Sequence, residues 1–264
     1  GFLDQLEEHR GAELDSDDRN RIVSNISRLN NLENYPFQAI ELDKNIDEEH
    51  VAEIFVRINS KGVQLSNADF ILTIMSVYWE KGRRELENFS RGAKTPTTGA
   101  ASPFNHFIDP APDQMLRTSV GLAFRRGRLQ YVYSILRGKD LETGEFSPEK
   151  RDEQFERLRE AQEATLNLTH WHEYLKCIQR AGFRSARMIS SETAVMYVYI
   201  FWLLGRLEYG VETKRLREVI TRWWFMAHTT GRYTGSAETQ IEADFNRLSE
   251  LEYGDADGFC HILD

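Results

Sequence analysis

Cysteine is scarce in this chain of 264 residues: only Cys177 and Cys260 occur, far apart, and neither has a metal-ligand neighbour at zinc-site spacing. That argues against a disulfide framework and for a reducing, cytoplasmic compartment. Long apolar runs are lacking as well. The longest, Ala194–Leu204 (AVMYVYIFWLL), is about half of what a bilayer crossing needs and reads as a buried helix, so no membrane contact is expected. No secretory n-region or cleavage site is present near the N-terminus, and a chain opening at Gly1 reads as a trimmed fragment. Phosphate-binding loops, G-x-S-x-G and H-E-x-x-H are all missing. The seven histidines are scattered, and His170 and His172, two residues apart, point to different sides of a helix. No catalytic or metal-ligating residue is therefore assigned.

A positive balance is also lacking. The net charge of −9 argues against a protein devoted to non-specific phosphate binding. The distribution is uneven, however: residues 1–53 hold 14 acids against 5 bases, whereas residues 81–139 hold 11 bases against 4 acids. Within that basic segment Arg83, Arg84, Arg125, Arg126 and Arg128 are candidates for a DNA-facing patch. The alternative is a set of solvated helix faces and i, i+4 ion pairs.

What is present is helical periodicity. With 41% hydrophobic and 11% aromatic residues the chain is globular and can bury a sizeable core. Ser16 is expected to cap a helix to Leu32, with Ile22, Val23, Ile26 and Leu29 on its buried side. Phe37–Leu42 is the one convincing strand, and Asp47 opens a helix ending near Asn59. Further helices are predicted from Ser66, over 113–124 and 129–136, from Ser147 to Ala181 as the longest, from Ser190 or Ser191 to Leu207, from Glu212 to His228 and from Ser236 to Leu251. Arg91–Pro112 reads as a long loop. The expected fold is mainly α, an irregular bundle of eight or nine helices with at most one or two short strands near the N-terminus. Residues 1–93 and 113–264 are expected to be separate parts joined by 94–112.

Glu53–Ser76 (EIFVRINSKGVQLSNADFILTIMS) is the most distinctive stretch. Val51, Ile54, Phe55 and Ile58 line one helical face, Gly62 suits the left-handed residue that ends a helix, and Ser66 with Asp69 forms a capping-box pair opening the next. This I-F-x-R-I-N-S-x-G-x-x-L-S-x-x-D pattern resembles one in the N-terminal domain family of GmrSD-type restriction proteins, bacterial factors directed against modified foreign DNA. RWWFMAHTTGRYTGSAETQIEAD, Arg222–Asp244, is similar to a later segment of the same family. The family's D-G-Q-Q-R motif, carried on a β-rich nucleotide-binding lobe, does not occur in this chain. The resemblance thus covers the helical portion only.

The resemblance implies that the complete protein uses that lobe, with a nucleoside triphosphate and magnesium, to license a nuclease domain or subunit. On the same resemblance this chain would hold no cofactor of its own, would buttress the lobe and supply a domain or dimer interface, and could hold DNA with the 81–139 segment. Arg57, Asn59, Gly62 and Asp69 would adjoin the nucleotide pocket. Arg232, Tyr233 and Ser236 would sit in an exposed connector beside helix termini, where a phosphate or base could bind. The structural reading of the same residues is equally concrete: helix caps and turns, a buried tyrosine ring, and an arginine paired with Glu242 or Asp244. Asn105-His106 and His261-Ile262-Leu263 are only faint echoes of the family's HNH nuclease domain, without the further ligands or ββα unit such a site needs. The rival function is a helical protein-interaction or dimerisation module that binds no nucleic acid.

Overall fold

The computed structural model of the chain describes residues 2–34, 36, 41, 54, 66–140 and 143–264. The predicted strand at 37–42 and helix at 47–59 lie outside these apart from Glu41 and Ile54, as do Arg57, Asn59 and Gly62. Among the described residues the protein is mainly helical, with twelve α-helices and no strand. Two compact units are present, residues 1–51 and residues 52–264.

In the first unit α1 (Phe2–Arg10) is followed by α2 (Ser16–Asn30). Asp15, rather than Ser16, caps α2, its carboxylate accepting from the Asp17 and Asp18 amides at 2.9 and 2.8 Å. An ionised cap at the positive end of the helix outcompetes the neighbouring hydroxyl. The expected buried side is not buried: neither helix has a buried residue, and Val23 and Leu29 are 47% and 65% exposed.

The second unit builds one core. Its helices are α3 (Asn67–Tyr78), α4 (Glu80–Lys94), α5 (Pro112–Phe124), α6 (Leu129–Leu136), α7 (Pro148–Thr165), α8 (Leu168–Arg180), α9 (Glu192–Leu207), α10 (Thr213–Thr229), α11 (Ala237–Leu248) and α12 (Ala256–Leu263). Every residue from Ala194 to Gly205 in α9 is buried, the environment its unbroken apolarity demands. It packs against α5, α8, α10 and α11. The approach to α5 is close enough that a Cβ on Gly121 would stand 2.5 Å from the Ile200 side chain. Buried polar tips find backbone partners: Tyr174 donates to the Val195 carbonyl at 2.6 Å, Tyr199 to that of Thr165 at 2.9 Å and the Trp171 indole to that of Pro103 at 2.9 Å. No described helix is long and apolar enough to cross a membrane.

The helix count exceeds the expected eight or nine for identifiable reasons. Trp79, at φ −155° and ψ 62°, divides α3 from α4. Asn167 interrupts the predicted 147–181 helix, its side chain accepting from the Thr169 and His170 amides at 2.9 and 3.2 Å and starting α8. Two helices, α1 and α12, were not anticipated; Asp255 caps α12 through the Gly258 amide at 2.8 Å. The second half of the loop between α4 and α5 joins the core, with Phe107 and Ile108 buried, whereas residues 95–101 are exposed. Asn105 organises this loop, accepting from the amides of Phe107 and Ile108 at 2.8 and 2.9 Å.

Candidate functional site

The second motif begins on α10. Its last turn closes in a Schellman arrangement, with the Arg232 amide donating to the Ala227 carbonyl at 2.9 Å and the Gly231 amide to that of His228 at 3.2 Å. Gly231 takes the left-handed conformation this requires, φ 64°. The chain is thereby turned so that Arg232 and Tyr233 meet Asp244, two turns along α11.

Asp244 is buried, 2% exposed, and holds both motif residues. Arg232 Nε donates to its Oδ2 at 3.1 Å and Arg232 Nη2 donates to its Oδ1, a two-pronged pair, while the Tyr233 hydroxyl donates to Oδ2 at 2.7 Å. The Arg232 guanidinium also lies 5.1 Å from the centre of the Trp223 ring. The carboxylate hydrogen bond raises the Arg232 pKa, and burial, reinforced by the Asp244 charge, pushes that of Tyr233 well up. Tyr233 is thus inside the fold, 1% exposed, rather than in an exposed connector, because its ring packs edge-on against Tyr197 at 5.6 Å. Nor do the motif's aromatics form one cluster. Trp223 faces Phe201, Trp224 faces Phe183, and Phe225 is 48% exposed.

Beyond this clamp the motif opens a cleft of about 580 Å³, lined by Asp113, Gln114, Arg117, Arg128, Thr193, Tyr197 and the Gly235–Thr239 turn. The starts of α5, α9 and α11 all contribute to it, so three positive helix ends share one recess. Ser236 is exposed there and, although at the cap position of α11, makes no side-chain cap bond. Arg128 donates to Thr239 Oγ1 at 3.0 Å and has no acid partner among the described residues, whereas Arg117 is paired with Glu238 at 2.7 Å. Burial pushes the Tyr197 phenol up to about 12. Phosphate oxygens would meet hydroxyls, one guanidinium without an acid partner among the described residues and three helix ends in this cleft, alongside the carboxylates of Asp113 and Glu238.

The remaining sequence-predicted residues are dispersed. Asp69 forms the reciprocal capping box with Ser66: the Ser66 amide donates to Asp69 Oδ2 at 2.8 Å, and the Asp69 amide to Ser66 Oγ at 3.3 Å. Arg83 pairs with Glu87 at 2.9 Å and Arg84 with Glu80 at 2.6 Å, both at i, i+4 spacing on α4. Arg125 ends α5 in the left-handed conformation, φ 53°, and reaches Glu208; desolvation lowers its pKa to about 10. Arg126 lies 3.6 Å from Glu242, whose Oε1 also accepts from the Gly127 and Arg128 amides at 2.8 and 3.2 Å.

Among the described candidates, Ser236 and Arg128 share a cleft. Sequence reasoning did not single out Arg117, Gln114 and Thr193; the signal for Arg117 was its place in the basic 81–139 segment, and that for Gln114 and Thr193 their place in the opening turns of helices. His172 Nε2 is within 2.8 Å of the Ser102 carbonyl, and no group of three His, Cys, Asp or Glu among the described residues is placed to hold a metal ion. Comparison with protein-family models, curated proteins and solved structures returns no match.

Proposed function

We propose that this chain is the helical portion of a GmrSD-like, modification-dependent restriction or phage-defence protein. It supports a nucleotide-binding lobe, contacts DNA and leaves catalysis to that lobe and to a nuclease domain or subunit. The observation that carries this reading is the use made of the second motif: Arg232, Tyr233 and Asp244 act as a buried clamp, and the turn they fix places Ser236 beside Arg128 in a cleft of helix N-termini suited to phosphate oxygens. In this reading the clamp is scaffold, the cleft is the contact, and nucleotide and magnesium belong to the lobe.

A second reading, a protein-interaction or dimerisation module without nucleic acid, draws on a different observation. The apolar residues Val23, Leu29 and Leu32 of the first unit remain 47%, 65% and 61% exposed, which suits a protein partner. Binding of duplex DNA across about 50 to 200 mM salt separates the two. The first reading predicts affinity falling steeply with salt; a chain that fails to bind DNA at the low-salt end contradicts it and favours the second.

A further inference from the structure

A basic cleft lies where α8 meets α10, outside the 81–139 segment. We propose that this cleft seats the phosphate backbone of nucleic acid, an inference that rests on the DNA contact proposed above and adds a second place to it. The cleft measures about 470 Å³ and is lined by Lys176, Gln179, Arg180, Arg184 and Arg217, four cations and one amide with no carboxylate in the lining. Lys176 and Arg180 are one helical turn apart and share a side of α8. Arg184 follows in the next connection, and Arg217 faces them from α10.

One acid serves the group. Glu173 accepts from Lys176 Nζ at 2.6 Å and from Arg217 Nε at 2.8 Å. The guanidinium groups of Arg180 and Arg184 make no hydrogen bond or ion pair with any described residue, although Arg180 lies in the last turn of α8, where a cation suits the helix dipole. In a molecule of net charge −9, such a concentration of uncompensated cations in one concave place creates a local positive potential against the overall field.

The 81–139 segment behaves differently, because Lys81, Arg83, Arg84, Arg117, Arg125 and Arg126 all sit in ion pairs. Exposure decides the ligand class. Lys176, Arg180 and Arg184 are exposed side chains on an open recess, whereas a small anion held alone needs buried donors to replace its hydration. Exposed cations in series suit an extended polyanion, whose binding is driven by release of condensed counterions.

The test is a fluorescence-anisotropy titration of labelled duplex DNA between about 50 and 200 mM salt, with the full chain, R180A/R184A, R180K/R184K and R83A/R84A. Both arginines are exposed and unpaired, so the variants are expected to fold, and thermal melts monitored by circular dichroism check this. The proposal expects R180A/R184A to lose at least about tenfold in affinity at low salt and to lower the slope of log K against log salt by about 2. R180K/R184K keeps the slope, and R83A/R84A, whose arginines are paired with Glu87 and Glu80, stays near wild type. DNA binding by the parent chain with unchanged affinity and slope in R180A/R184A overturns the cleft and leaves the DNA contact standing. A slope loss in the lysine pair as large as in the alanine pair overturns it too. A parent chain that shows no salt-dependent binding overturns both.

Discussion

Asp244 carries more of the second motif than either residue the sequence put forward. Its carboxylate is buried against Arg232 and Tyr233, and removing it strands a guanidinium and a phenol whose other surroundings are aromatic. Asp244→Ala is expected to cost about 3 kcal/mol, the low end for breaking a buried pair, because Arg232 keeps some access to water. Tyr233→Phe, which leaves the ion pair intact, is expected to cost about 1 kcal/mol; urea denaturation of both variants checks the order. Glu173 supplies a pH-dependent counterpart. Burial acts to raise its pKa, yet the hydrogen bonds and charges of Lys176 and Arg217 prevail and lower it. A depressed folded-state pKa contributes stability that is present above the unfolded value, about 4.3, and lost as pH falls through the folded one. Glu173→Gln is therefore expected to flatten the acid limb of melting temperature against pH below about 4.5. Flanking acids such as Glu242 and Asp244 were legible as partners for Arg232 from spacing along α11. That Tyr233 turns inward was not, because it depends on Tyr197, distant in sequence.

Element boundaries were legible wherever a cap or a breaker is local. Ser191 before Glu192, Ser147 before Pro148 and Glu212 before Thr213 all mark starts that the fold keeps. The break between α7 and α8 was hidden because apolar spacing continues through it: Phe155 and Leu158 lead on to Trp171, Tyr174 and Ile178 without a Gly or Pro to signal the change. Only Asn167, which competes for the amides of the following turn, distinguishes two helices from one. Asn167→Ala is expected to cost about 1 kcal/mol, the usual value of a helix cap, read from denaturant midpoints. Gly231→Ala places a Cβ on a left-handed residue and is expected to cost about 1 kcal/mol, with the Thr234 hydroxyl 3.0 Å from the added atom. Asn59, Gly62 and Arg57, the core of the first motif, lie outside the described residues, so the fold bears on that motif through Ser66 and Asp69.

At the scale of the whole molecule the helical class and the buried α9 followed from composition and periodicity, which report local burial faithfully. The distribution of usable charge did not follow. A segment rich in arginine looked like a surface for DNA, yet pairing across distant elements, such as Arg117 with Glu238 and Arg125 with Glu208, consumes much of it. Arg180 and Arg184, which have no ion pair among the described residues, lie at the end of α8 and just beyond it, and only their meeting with Arg217 of α10 is invisible in a linear window. The first unit poses the complementary case: α2 is amphipathic by sequence, and its apolar side stays uncovered in the chain alone. Support of a nucleotide-binding lobe is the central claim, and hydrogen exchange across residues 16–30 with and without a D-G-Q-Q-R-bearing lobe tests it most directly. The account predicts that adding the lobe slows exchange throughout α2 by at least about tenfold, as expected when an exposed apolar helix is packed. Exchange in α2 that is unchanged at a saturating concentration of the lobe would contradict it.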